Sequence, residues 1–185
     1  RQSRIKPTTD EKIITSWNAL IIKSLLIAGE TFNEPKWIKM AQETIDFILH
    51  KLFIDEKLKS IYIDEKSLLN GYLDDYAYLV NSLIDVFEIT SNAYFLDMAQ
   101  KITHYMIEHF WNETEKSFYF TADTHESLIV RPKNYYDLSV PSGNSVAANA
   151  LLKLHHLVND EKFLQISKQI LELNATSAAE NPFAF

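Results

Sequence analysis

One repeat constrains this chain more than any other feature. "KWIKMAQETIDFI" (residues 36–48) aligns on "YFLDMAQKITHYM" (94–106) and places Met40-Ala41-Gln42 on Met98-Ala99-Gln100. "KFLQISKQIL" (162–171) is a weaker third copy, with Phe163 on Phe95. Carried back to the preceding segments, the same register superposes Asn18, Tyr76 and Asn144. A repeat at this spacing means stacked supersecondary units, none of which buries its apolar face alone. Apolar periodicity makes each unit a pair of helices. The six helices are expected at about Thr15–Glu30, Pro35–Phe53, Asp74–Thr90, Asn92–Trp111, Ser142–Val158 and Asp160–Asn174. Pro35 suits a first helical turn, and Gly29 and Asn159 suit helix ends. Two β-prone patches, "KSIYID" and "KSFYFT", each follow a polar turn and can form short hairpins between pairs. With only 3 Gly and 5 Pro in 185 residues, a turn-rich sheet sandwich is disfavoured.

The two helices of a unit differ in kind. The third is apolar nearly all round, and the first almost as much, with Trp17, Leu20, Ile21, Ile22, Leu25 and Leu26. The fourth carries a narrower stripe of Phe95, Met98, Ala99, Ile102, Met106 and Phe110. A helix apolar on all sides is enclosed, and a striped one covers the outside. The expected fold is therefore all-α: an arc of an α/α toroid in a single domain over 1–185, with an inner layer of odd-numbered helices. An open helical solenoid has the same local pattern.

If the inner helices run parallel, their starts share one rim: "TSWN", "LDDY" and "PSGNS". Helix N-termini offer free N–H groups and partial positive charge. Aromatic faces beside carboxylates, amides and hydroxyls suit a polyol. The candidate catalytic acids are Asp74, Asp75 and Asp137, and the candidate substrate-binding residues are Trp17, Asn18, Tyr76, Arg131, Ser142 and Asn144. "RIKPTTD" and "RPKNYYD" repeat an Arg–Asp spacing, Arg4/Asp10 and Arg131/Asp137, which can pair to fix the lead-in loops or bind substrate. The bland readings are strong as well. Asp74 is placed as an N-cap and Asp75 as a first-turn acid, each stabilising by about 0.5–1 kcal/mol; Ser142 is a cap, and Trp17 and Tyr76 can be core.

Other chemistries find little support. Net charge is −7 without a basic patch, against a nucleic-acid surface. The absence of cysteine excludes disulfides, thiolate metal sites and a redox pair within this chain, and fits a reducing, cytoplasmic setting. Lys23 and Lys153 interrupt the longest apolar runs, so no membrane span is expected. The six histidines lack metal-binding spacing, and those on helices are expected away from the rim. No cofactor is implied. "PSGNS" is not a nucleophile-elbow pattern.

"DEKIITSWNALIIKSLLIAGE", "GYLDDYAYLVNSLIDVFEIT" and "DLSVPSGNSVAANALLKL" resemble three successive blocks of the YyaL-type, spermatogenesis-associated thioredoxin-domain-containing family. The resemblance runs from Arg4 to about Asn174 and implies the middle of a six-hairpin toroid similar to glycosidases and N-acylglucosamine 2-epimerases. It also implies a thioredoxin-like domain elsewhere in such proteins, absent from this chain. "RQSRIKPTTDEK" reads as the interior of a longer polypeptide. Three functions are expected to compete: a carbohydrate-active hydrolase with two carboxylates across the mouth, a non-catalytic glycan- or peptide-binding scaffold, and a sugar epimerase, which would need a histidine at the rim. Open edges of a half-ring should also make the chain self-associate or leave it marginally stable.

Overall fold

The computed structural model describes Arg4 and residues 9–182. Three antiparallel helix hairpins stand side by side. They are α1 (Thr15–Thr31) with α2 (Pro35–Lys51), α3 (Leu73–Thr90) with α4 (Ala93–Phe110), and α5 (Gly143–Val158) with α6 (Glu161–Glu180). Helix α3 packs against α1 on one side and α5 on the other, with α4 behind it. Odd-numbered helices thus form the inner layer and even-numbered ones the outer layer of an α/α-toroid arc. Among the described residues no helix is long and apolar enough to cross a membrane.

Local chemistry sets the hairpin turns. Asn92 and Asp160 cap α4 and α6, accepting from the backbone N–H of Tyr94 at 3.1 Å and Lys162 at 2.8 Å. Ser91 (φ 54°) and Asn159 (φ 57°) end α3 and α5 in the left-handed region, returning N–H bonds to Phe87 and His155. Gly29 does not end α1, which continues through it to Thr31. Its role is close approach: a Cβ there would stand 2.6 Å from Ile38 Cγ1 of α2.

Four strands form a small sheet: β1 (Ile13–Ile14) leads into α1, and β2 (Phe53–Ile54), β3 (Lys57–Ile63) and β4 (Lys66–Asn70) lie between the first two pairs. Central β3 pairs antiparallel with all three others. Its two hairpin loops, Asp55-Glu56 and Asp64-Glu65, have positive φ at both residues, the geometry that matches strand twist. "KSFYFT" contributes only β6 (Ser117–Phe118), paired with β5 (Trp111–Asn112); the chain then runs irregularly to α5.

Helix α3 is the keystone of the core. Every residue from Asp75 to Val86 is buried, including Leu79, Val80, Leu83 and Ile84 at 0% exposure. Each such side chain stabilises by about 1.5–3 kcal/mol relative to exposure. Helix α1 is less enclosed than its composition suggests: Trp17, Ile21 and Ile27 are 62%, 54% and 55% exposed. It stands at the edge of the arc, with α3 on one flank and no inner helix on the other.

Candidate functional site

The starts of the three inner helices do meet. The Ser16 N–H of α1 donates to Asp75 Oδ1 of α3 at 2.9 Å. At the next seam, Gly143 of α5 lies against Asp74: a Cβ on Gly143 would overlap Asp74 Oδ1 and stand 2.9 Å from Leu73 Cγ. The two contacts are equivalent under the repeat, Ser16 corresponding to Asp74 and Asp75 to Gly143. A glycine opens "GNS" because only a residue without a side chain fits beside Asp74.

The two adjacent aspartates have different tasks. Tyr72, not Asp74, is the N-cap of α3. Asp75, at the third helical position, accepts the Tyr72 N–H at 2.9 Å with its second oxygen, one half of a capping box. It is 2% exposed and ties the α1 start to the α3 start. Burial pushes its carboxyl up, against the hydrogen bonds from Tyr72, Ser60 and Ser16 that draw it down. Asp74 is half-buried, and its Oδ1, sealed from solvent, accepts no well-formed hydrogen bond. Burial, then the charge of Asp75, raise its pKa to about 6, with the Gly143 N–H acting weakly in the other direction.

Asp74 faces a cavity of about 310 Å³ with Lys133, Asn134, Tyr135, Tyr136 and Ser142. Asp137 closes the loop behind it. Its Oδ1 accepts the Ser142 N–H at 2.7 Å and the Ser145 hydroxyl at 3.1 Å, bonds that hold the α5 start. Ser142 itself caps α5 through the Ser145 N–H at 3.1 Å. The Tyr78 hydroxyl donates to the Pro141 carbonyl, and burial together with Asp74, Asp137 and Asp75 drives its pKa upward.

Asn18, Tyr76 and Asn144 share one repeat position, and that position points outward, behind the inner helices. Asn18 donates to the Ile14 carbonyl at 2.8 Å and lines a groove with Met40 and Phe47 of α2. Tyr76 is 2% exposed, stacks on Tyr105 of α4 and accepts the Leu58 N–H at 2.9 Å. Buried Asn144 accepts the Phe118 N–H at 2.8 Å and donates to the carbonyls of Phe118 and Asn134 at 3.0 and 2.9 Å. These three residues hold the outer layer and hairpins to the inner helices and do not line the mouth. Trp17 is at the free flank of α1 and takes no part in the cavity at Asp74.

Among the described residues the Arg–Asp echo shows no ion pair of its own. Arg131 donates to the carbonyls of Thr121 and His109 and lies over the Tyr119 ring at 4.0 Å, while Asp137 binds Ser142 and Ser145. Asp10 pairs with Lys12 at 3.1 Å. The histidines need one correction. Because the hairpins are antiparallel, the end of α4 lies at the inner-helix starts. His109 there bonds Asp123 at 2.8 Å, and His125 accepts the Ala122 N–H at 3.1 Å beside the Tyr72 ring. Both belong to the loop layer behind the mouth.

Of the cavity's lining, sequence reasoning named Asp74 and Ser142 and missed Lys133, Asn134, Tyr135 and Tyr136. "KNYYD" was legible as a lead-in to α5, and its tyrosines were the signal. It also missed the concave face, which the repeat register reveals once coordinates orient it. Equivalent residues Leu20/Tyr78/Val146 and Lys23/Asn81/Asn149 line one groove of about 260 Å³ across α1, α3 and α5. The next row, Ile27/Asp85/Lys153, lines another of about 300 Å³. Asn149 donates to Asn81 at 3.2 Å, Asn81 to Asp85 at 3.1 Å, and Lys153 pairs with Asp85, so polar contacts cross the α3–α5 seam.

Comparison with known proteins places this geometry. No family model matches the chain. It is 27% identical over 179 residues to an uncharacterised protein of Caenorhabditis elegans, covering 91% of this chain and 24% of that protein. It is 26% identical over 166 residues to human spermatogenesis-associated protein 20, covering 84% and 21%. The chain therefore spans less than a quarter of the length of these relatives. Among solved structures it is similar to a GH76 α-mannanase of Bacteroides thetaiotaomicron (TM-score 0.71, 17% identity, 92% of this chain and 47% of that one). It is also similar to the cellobiose 2-epimerase of Bacillus thermoamylovorans (TM-score 0.74, 11% identity, 90% and 45%). Both are α/α toroids, and the likeness establishes the fold.

Proposed function

We propose that this domain binds and processes a carbohydrate at the mouth over the α3 and α5 starts, with Asp74 as the general acid. The observation that carries the reading is the state of Asp74: a carboxyl with a pKa raised to about 6, an unsatisfied buried oxygen and a cavity in front of it. A group that keeps its proton to near-neutral pH can deliver it to a glycosidic oxygen. Tyr135 and Tyr136 supply aromatic surface and Asn134 supplies a donor for hydroxyls, while Lys133 is paired with Glu115. Asp137, whose Oδ1 holds the α5 start beside this cavity, is the candidate base of an inverting pair. The toroidal neighbours, a mannanase and an epimerase by their names, support a sugar as the ligand class. Asp75 serves in this reading as the positioning residue that seats the helix start and holds a charge beside Asp74.

A second reading is a non-catalytic glycan- or peptide-binding scaffold. It is favoured by the full structural engagement of Asp75, Tyr76, Asn144 and Arg131. Epimerase chemistry finds weaker support, since His109 and His125 are tied to Asp123 and Ala122 behind the mouth. The test is a panel of aryl glycosides and reduced oligosaccharides assayed for turnover and, by calorimetry, for binding. Turnover should fall as pH rises through about 6, and Asp74→Asn should abolish it while leaving sugar binding intact and the fold no less stable. Binding without turnover would favour the scaffold. Turnover unchanged in Asp74→Asn would remove Asp74 from the chemistry.

A further inference from the structure

A second groove adjoins the cavity at Asp74, on the concave face of the arc. Its volume is about 260 Å³, and the equivalent residues Leu20, Tyr78 and Val146 of α1, α3 and α5 form the row nearer the helix starts. Both seams beneath it are made inside the chain. The Ser82 hydroxyl donates to the Ala19 carbonyl at 2.7 Å, and Asn149 donates to Asn81 at 3.2 Å. The two hollows share a wall. Pro141 lines both, and Ser142 of the mouth and Ser145 of the groove have their hydroxyl oxygens 2.8 Å apart. Asp74 at the mouth and Tyr78 in the groove are i and i+4 on α3 and so share one face of the helix. Asp74 therefore stands where one hollow passes into the other.

The polar groups in the groove are already engaged with the protein. Tyr78 gives its hydroxyl to the Pro141 carbonyl, Ser82 to Ala19, and Ser145 to Asp137 at 3.1 Å. Asn81 donates to Asp85 at 3.1 Å and accepts from Asn149. Sugar hydroxyls pressed on such a floor would give up water without a replacement partner, which is unfavourable. An apolar group carries no such penalty and gains from contact with Leu20, Val146, Pro141 and the Tyr78 ring. Lys23, at the far end, can lay its methylenes along the groove with its ammonium in water. We propose that the substrate is a glycoside with an apolar aglycone, an alkyl or aryl group that passes over Pro141 and lies in the concave groove while its sugar occupies the mouth. This rests on the reading of the mouth as a sugar site. An acid that protonates a leaving oxygen must stand between the sugar and the group that leaves, which is the place of Asp74. Hydrolysis there breaks the bond between the anomeric carbon and the aglycone oxygen. That oxygen takes the Asp74 proton and departs as an alcohol or phenol. Water gives its hydroxyl to the anomeric carbon and its proton to Asp137, and exchange with solvent restores both carboxyls.

Methyl and octyl glycosides of glucose, mannose and galactose, kept below the micelle range, test this on the full chain by calorimetry and amide chemical-shift mapping. For the sugar that binds best, the octyl glycoside should bind about tenfold more tightly than the methyl glycoside or better, since each buried methylene contributes about fourfold. It should add shifts at Tyr78, Val146 and Asn149 to those at Asn134, Tyr135 and Tyr136. Leu20→Asn and Val146→Asn, both at partly buried positions, should bring the octyl-to-methyl affinity ratio toward unity with unchanged far-UV circular dichroism. Equal affinity for the two glycosides, with mouth shifts from both, would overturn the aglycone site and leave the sugar reading standing. An octyl advantage that survives both variants, or groove shifts that octanol alone reproduces in full, would also overturn it. No mouth shifts with any of the six glycosides would remove the sugar reading and this inference together.

Discussion

Replacing Asp74 by Asn should stabilise the protein at neutral pH and do little in acid. The reasoning follows from where the proton sits. The carboxyl titrates near 3.8 when unperturbed and at about 6 in the fold. Below pH 3.8 both folded and unfolded chains hold the proton, and an amide of the same shape changes little. Between 3.8 and about 6 the unfolded chain has released a proton that the folded chain keeps, so wild-type stability falls as pH rises. Above about 6 the folded protein carries the full cost of a charge set against burial and Asp75. A raise of about two pH units, each worth about 1.4 kcal/mol, gives an upper bound of about 3 kcal/mol. Solvent reaching this half-buried group reduces it to about 1.5–2 kcal/mol. Denaturant unfolding of both proteins at pH 3.5 and pH 8, at one protein concentration, should give nearly equal stabilities in acid and an advantage of about 1.5–2 kcal/mol for Asp74→Asn at pH 8. An equal difference at both pH values, or a less stable variant at pH 8, would refute this account of Asp74.

Asp75→Ala should behave oppositely, losing about 1–3 kcal/mol at pH 8 by thermal or denaturant unfolding, because the half-buried Ser16 and Tyr72 N–H groups lose their acceptor. Gly143→Ala should cost about 1–3 kcal/mol, and adding Asp74→Ala should recover part of it; strict additivity in that cycle would contradict the close approach. Tyr76→Phe should cost about 1–3 kcal/mol by orphaning the Leu58 N–H, with hydrogen exchange at Leu58 accelerated.

The layer plan was legible because apolar periodicity reports directly on helix faces. A full girdle on α3 and a stripe on α4 can only be inside and outside. The same signal misjudged α1, since composition says how greasy a helix is and not whether a neighbour stands beside it. Asp74 and Asp75 could not be separated by pattern. Adjacent residues differ by about 100° in direction on a helix, and the direction of each depends on how α1 and α5 flank α3. Asn18, Tyr76 and Asn144 were correctly grouped as equivalent positions but assigned to the mouth. Equivalence gives a shared direction without saying which one, and Tyr105 and Phe118 show that it is outward. Gly29 read as a helix end, whereas it and Gly143 are both demanded by contacts with another element, Ile38 and Asp74.

The central claim is that a sugar occupies the cavity in front of Asp74. The most direct measurement is amide chemical-shift mapping during titration with neutral oligosaccharides. The account predicts saturable shifts confined to Asn134, Tyr135, Tyr136, Ser142 and Asp74, moving with the ligand and absent with glycerol at equal hydroxyl concentration. Shifts clustered on the outer helices, or none at any sugar concentration, would contradict it.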